Sequence, residues 1–440
     1  MKKRYIFIIL LLVMPLKAFG QVYFNAVEIP EKSESEVRSF VINRIETAGN
    51  EKTRDYIILR ELHFTTGDSI DAKGLYLAQK RLLNLFLFNR VVFDIIGTPD
   101  DAMLLITVTE LWYIFPVPIM YLNERSWDKI SYGAKFNYYN FLGRGILLKT
   151  VAAFGYNPEY RFSYRNPWFG GDLKLLTTFS IYKKRVRTKS LEFERESDRR
   201  AGIEWTIGRR FGHHFYTLLT FGYLEIDHSR TAISPDGKDE LPIFNLGLLY
   251  DNRDLVEYPH RGVNLLFWAK RVKHRSPIDY WQYGADLRGY IPLPGYATLA
   301  LRTSCSLSEG RIPIYDRVYL GYYEKIRGQF NRKFEGENLV ITSAEFRIPL
   351  MKIRYLDLSR FAFPGFERYY YDLKFGISAA LFYDIGAVWF QNESLRKNAL
   401  HPGFGAGLHL HLPYVDLMRL EIGFDPDFNH EYIAEVELAF

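Results

Sequence analysis

The chain has 440 residues, 17% of them aromatic, and a formal charge of +6. Its first twenty residues carry Lys2, Lys3, Arg4 and Lys17; without them 53 basic side chains face 51 acidic ones, too even a balance to imply a nucleic-acid partner. The one cysteine, Cys305, excludes an intrachain disulfide, and beyond residue 20 no apolar run reaches the roughly 18 residues of a membrane-spanning helix.

Residues 1–20 read as a secretory signal peptide: a basic start, an apolar run from Tyr5 to Leu16, then the small-residue site Ala18-Phe19-Gly20. Residues 21–40 are acidic and unpatterned and read as a flexible lead-in. The segment 41–112 alternates element types. "VINRIET" (41–47) predicts a strand and "TRDYIILREL" (53–62) a helix with Thr53 as N-cap, stopped by Gly67-Asp68. Leu75, Ala78, Leu82 and Leu85 form the apolar stripe of a second helix. "RVVFDII" (90–96) and "MLLITVTEL" (103–111) predict two further strands.

From residue 113 to 440 the period becomes two. In "EYIAEVELAF", Tyr432, Ala434, Val436, Leu438 and Phe440 share one face, and Glu431, Ile433, Glu435 and Glu437 the other. "RLEIGF" (419–424) and "LHLHL" (408–412) repeat the pattern. One face suits lipid and the other an aqueous lumen. Many aromatics, an export signal and no membrane helix predict an all-β transmembrane barrel. About sixteen antiparallel strands are expected, preceded by one small α+β domain. An even count puts both barrel ends on the side of that domain.

The segment 41–112 resembles a POTRA domain, the periplasmic module of the BamA/TamA family, in "GNEKTRDYII", "GDSIDAKGL" and "NLFLFNRVVF". "NFLGRG" (140–145), "YRNPWFGG" (164–171) and "YDNRDLVEYPHRG" (250–262) look like periplasmic turns of that family's barrel. Gly143 and Gly145 permit positive φ there, and Pro167 and Pro259 can sit only outside a hydrogen-bonded ladder. The resemblance implies a bacterial outer-membrane protein with its POTRA domain in the periplasm. It would assist insertion, assembly or translocation of nascent outer-membrane or secreted proteins. Its partners would be the outer-membrane bilayer, such clients and a periplasmic protein at the POTRA domain. No cofactor or enzymatic activity is implied. The alternative is a passive or gated pore with an inward-folded plug loop.

In the family a long extracellular loop folds into the lumen and carries a Val-Arg-Gly-aromatic tip; here the tip reads Ile326-Arg327-Gly328-Gln329, with Phe330 one place late. By resemblance Arg327 meets acidic residues of the inner wall, and Gly328 lets the chain turn sharply against it. In "SAEFRI" (343–348) and "LFYDIGAVW" (381–389) the alternation points Glu345 and Asp384 inward. Together these four residues would form a lumen loop lock.

The first barrel segment, "YIFPVPIMY" (113–121), carries Pro116 and Pro118. Both lack an N–H on the same side of the strand, so an edge or poorly paired seam is expected there. One reading is a lateral seam between the first and last strands, marked by Pro116, Val117, Pro118, Val436 and Phe440. It would capture an incoming strand through backbone hydrogen bonds. The other is that 113–121 is partly a linker, its prolines discouraging aggregation.

No nucleophile elbow, Walker loop or His-Glu-x-x-His motif is present. "GFGAG" (403–407) reads as a strand face without side chains. His409 and His411 share a strand face, but no third metal ligand stands beside them in the sequence. "KKRVRTK" (183–189) and "EFERESDRR" (192–200) read as a solvated loop with strand extensions; its basic part suits contact with lipopolysaccharide.

Overall fold

The structure is a computed structural model that describes residues 39–437, apart from 123–126, 189, 191, 194–195, 228–229, 274–277, 322–325, 330–331, 397–398 and 415–416. The expected signal peptide, nearly all of the lead-in, Phe330 and Phe440 lie outside the described residues, as does the side chain of Val436.

Strand β1 (Phe40–Ala48) leads to helix α1 (Asp55–Leu59), the short β2 (Ser69–Ile70), helix α2 (Ala72–Leu83), β3 (Phe88–Thr98) and β4 (Asp101–Glu110). The sheet order is β2-β1-β4-β3, with β1 parallel to β4. Asp71 caps α2 by accepting from the Gly74 N–H at 2.7 Å. One turn on, Leu75, Ala78 and Leu82 are buried in a core with Ile42, Leu104 and Ile106. Thr53 is not the N-cap of α1. Arg54 holds that position, and the Thr53 hydroxyl instead donates to Glu110 at 2.6 Å, 57 residues away. α1 is also shorter than expected, ending at Leu59.

The barrel strands follow: β5 (Ile114–Leu122), β6 (Ile130–Phe141), β7 (Ile146–Gly155), β8 (Glu159–Phe169), β9 (Leu175–Arg187), β10 (Ser197–Phe211), β11 (Phe215–Asp227) and β12 (Lys238–Asp251). Next come β13 (Gly262–Lys273), β14 (Asp279–Pro292) and β15 (Thr298–Gly310). After a small hairpin of β16 (Val318–Leu320) and β17 (Phe334–Gly336), the wall resumes with β18 (Asn338–Leu356), β19 (Leu373–Trp389), β20 (His401–His411), β21 (Leu417–Phe424) and β22 (His430–Glu437). Leaving out β16 and β17, which pair with each other, these form one 16-stranded sheet in chain order.

The alternation sorts side chains as expected. On β22, Tyr432 is 76% exposed while Glu431 and Ile433 are buried. The sheet curls until the Phe115 ring, at the start of β5, lies 5.4 Å from that of Tyr414, between β20 and β21. The basic run is strand more than loop: Lys183 to Arg187 complete β9 and Ser197 to Arg200 open β10.

The small domain sits against the barrel end that carries the β6–β7 turn (142–145) and the β18–β19 connection (357–372). Asn140 donates to the Thr53 hydroxyl at 2.8 Å, and the Gly143 carbonyl accepts from the Arg54 N–H at 3.1 Å. Glu61 pairs with Arg210 at 3.2 Å, and Asp372 accepts from Arg90 and Thr109 at 2.9 and 2.7 Å. The loop of 27 residues between β15 and β18 (311–337) leaves from the opposite end.

Candidate functional site: the lumen contact and the first strand

Ile326 anchors the tip of the long loop in an apolar cluster with Leu320, Leu339 and Ile341. The next residue, Arg327, meets three carboxylates. Its Nε and Nη2 donate to the two oxygens of Asp384, each at 2.8 Å, and its backbone N–H adds a third bond at 3.1 Å. Its Nη1 donates to Glu345 at 2.6 Å and to Glu421 at 3.1 Å. The guanidinium carbon lies 3.7 Å from the centre of the Phe382 ring. A planar fork with five donors suits this arrangement, which a lysine ammonium cannot reproduce.

Close backbone approach makes the contact possible. Gly328 has φ +94°, and a Cβ there would lie 2.3 Å from the Phe424 carbonyl. On the wall, a Cβ on Gly403 would lie 2.1 Å from the Arg327 carbonyl, and one on Gly423 2.6 Å from the Gly328 nitrogen. Gly403, the first bare position of "GFGAG", thus receives the loop backbone, while Phe382 and Glu421 fill the space over Gly405 and Gly407. Gln329, standing where the family carries an aromatic, is buried and donates to the Pro402 carbonyl at 2.6 Å.

The expected residues Arg327, Gly328, Glu345 and Asp384 therefore meet in one place. Glu421, Phe382, Gly403 and Gly423 belong with them. Glu421 had a readable signal, since its alternation in "RLEIGF" points it inward. His409 is fully buried and bridges Glu421, at 3.1 Å, to the Tyr258 hydroxyl, at 3.0 Å. Tyr258 comes from the loop between β12 and β13, where Asn84 of the small domain bonds the backbone of Asp254 and Val256 at 3.1 and 2.9 Å. His409 and His411 do not share a ligand set, for His411 faces Ser378 at 3.4 Å. The donor atoms of Glu345, His409 and Glu421 lie within 4.8 Å of one another, but the two carboxylates are already bridged by the Arg327 Nη1.

The first strand is a strand along Ile114–Leu122 rather than a partial linker. It pairs with β6 without a bulge, Pro116 opposite Phe136 and Pro118 opposite Ala134. An unbroken ladder on that side requires the two missing donors to face away from β6. Among the described residues no register joins β5 to β22.

A sixteen-stranded antiparallel barrel with a periplasmic-type POTRA module and an arginine-tipped loop on its inner wall defines the class. The Omp85 superfamily domain model matches residues 140–437, and a POTRA model, the surface antigen variable number repeat, matches residues 40–111. The chain belongs to the Omp85 superfamily. A curated relative is the outer membrane protein assembly factor BamA of Nitratidesulfovibrio vulgaris, 22% identical over 312 residues. That match covers 66% of this chain but only 38% of the relative. Among solved structures, BamA of Haemophilus ducreyi lacking POTRA domains 1–3 superposes with a TM-score of 0.51 at 17% identity, covering 91% of this chain and 83% of that one. CdiB of Escherichia coli gives 0.56 at 13% identity, covering 90% and 75%. At these identities the likeness is one of fold.

Proposed function

We propose that the protein resides in the bacterial outer membrane with its POTRA domain in the periplasm. There it assists insertion, assembly or translocation of other proteins through a seam between β5 and β22. The observation that carries this reading is the pair Pro116 and Pro118 on an otherwise regular first strand. An edge lacking two donors closes weakly against the last strand, and an incoming strand can compete for what remains. Membership of the Omp85 superfamily supports the same reading. Binding energy and a deformable edge supply the work, so no nucleotide is required. Arg327, bridging β18, β19 and β21, would lock the loop against the wall beside that seam. Val436 and Phe440 are proposed as the opposite edge.

The test is reconstitution. Purified protein in lipid vesicles should accelerate insertion of a urea-denatured outer-membrane barrel, scored by protease protection. Restoring the donors with Pro116→Ala and Pro118→Ala should slow it. Insertion at the rate of empty vesicles would overturn the reading. The loop in the lumen also favours a gated pore; bilayer conductance that rises on Arg327→Ala, without any insertion activity, would select that second reading.

A further inference from the structure

The outward face of β9 and β10 changes character at the barrel end away from the POTRA domain. On β9 the exposed Phe179 and Ile181 give way to Lys183 and Arg185; on β10 the exposed Trp205 and Ile203 give way, past Ala201, to Arg199. Exposed Tyr160 of β8 stands opposite Lys183. Arg185 stands directly opposite Arg199, a like-charge pair that destabilises a sheet unless an anion lies between. The Arg185 Nε donates to Ser197 at 2.9 Å. Asp227 stands opposite Arg199 on β11, but among the described residues no carboxylate forms an ion pair with Lys183, Arg185 or Arg199. Cations on another outward face are treated differently. Arg271 and Lys273 both pair with Asp279, and Arg271 lies over the Trp281 ring at 4.9 Å.

We propose that Lys183, Arg185 and Arg199 bind the phosphate groups of a phosphorylated glycolipid of the outer leaflet, whose acyl chains lie along Phe179, Ile181, Ile203 and Trp205. The cations sit just past the apolar belt, at the level of the headgroups, and guanidinium and ammonium groups form strong charge-assisted bonds with phosphate. The leaflet follows from the orientation proposed above; the site does not depend on the assembly activity.

Full-length protein in detergent is mixed with diphosphorylated lipid A, or with the same lipid stripped of phosphate, and the retained lipid is counted by native mass spectrometry. The wild type and an Arg271→Gln/Lys273→Gln control should retain the phosphorylated lipid. The triple variant Lys183→Gln/Arg185→Gln/Arg199→Gln should retain it on the order of tenfold less or weaker still. Equal retention by the triple variant, or equal retention of the dephosphorylated lipid, overturns the proposal. Arg199→Gln alone, checked for its folded band on gels, decides the matter should the triple variant not fold. Without lipid A it should unfold at the same or a higher temperature than wild type, because the repulsion is relieved. In vesicles containing lipid A it should unfold at a lower one. A shift of the same sign in both settings contradicts the site.

Discussion

Arg327→Ala removes one guanidinium from three carboxylates, and the structure shows which of them suffers. Glu345 keeps the Arg347 Nε at 2.7 Å and Glu421 keeps His409 at 3.1 Å. Asp384, 1% exposed, loses both guanidinium bonds and, among the described residues, keeps only the backbone N–H of residue 327. Stranding a buried charge in this way costs about 3–5 kcal/mol, whereas the intact pair adds little net stability because desolvation offsets its attraction. The sharper expectation is therefore a recovery. Asp384→Asn in the Arg327→Ala background removes the stranded charge and should restore roughly 0.5–3 kcal/mol, the range of coupling between residues in contact. The assay is urea unfolding in lipid vesicles, followed by tryptophan fluorescence and by loss of the fast-migrating folded band on gels. A loss below about 1 kcal/mol for Arg327→Ala, against the cost expected for an unpaired buried charge, would refute the reasoning. So would a double variant no more stable than the single one.

Gly403→Ala should dislodge the loop tip without unfolding the barrel, because its Cβ would lie 2.1 Å from the Arg327 carbonyl; protease cleavage within the loop reports it, and Gly289→Ala, with open space at its Cβ, should change nothing. The seating of the POTRA domain should weaken in acid. Burial, then Arg81 and Arg210, push the His213 pKa down to about 4, and burial lowers that of His63. The separated state therefore takes up protons first, and stability present above the ordinary histidine pKa of about 6.5 is lost as pH falls toward 4. Proteolysis of the domain boundary across that window should show the trend, and His213→Ala should flatten it. Thr53→Val deprives Glu110 and Asn140 of a buried hydroxyl partner, and about 1–3 kcal/mol of POTRA stability should go with it, read by hydrogen exchange in β1 and β4.

Much of this was legible because strand geometry is a strict code. Alternation alone pointed Glu345 and Asp384 into the lumen, and the family resemblance supplied the arginine that joins them. Glu421 had the same parity, but nothing local relates it to a residue 94 positions away. The glycines of "GFGAG" revealed a bare face but not what fills it, since at Gly403 that depends on where a distant loop comes to rest. Thr53 misled for a related reason. Its type and spacing satisfy the rule for a helix cap, yet tertiary partners engage the hydroxyl, which donates to Glu110 and accepts from Asn140. β2, β16 and β17, two or three residues each, are too short to show a period.

The central claim is that β5 is an edge at which other proteins are handled. Photo-reactive residues placed at Val117 and Ile119, with crosslinking in living cells and mass spectrometry of the products, test it most directly. Adducts with nascent outer-membrane or secreted proteins are the predicted result. Crosslinks confined to this chain's own last strand would mean a closed barrel and would contradict the account.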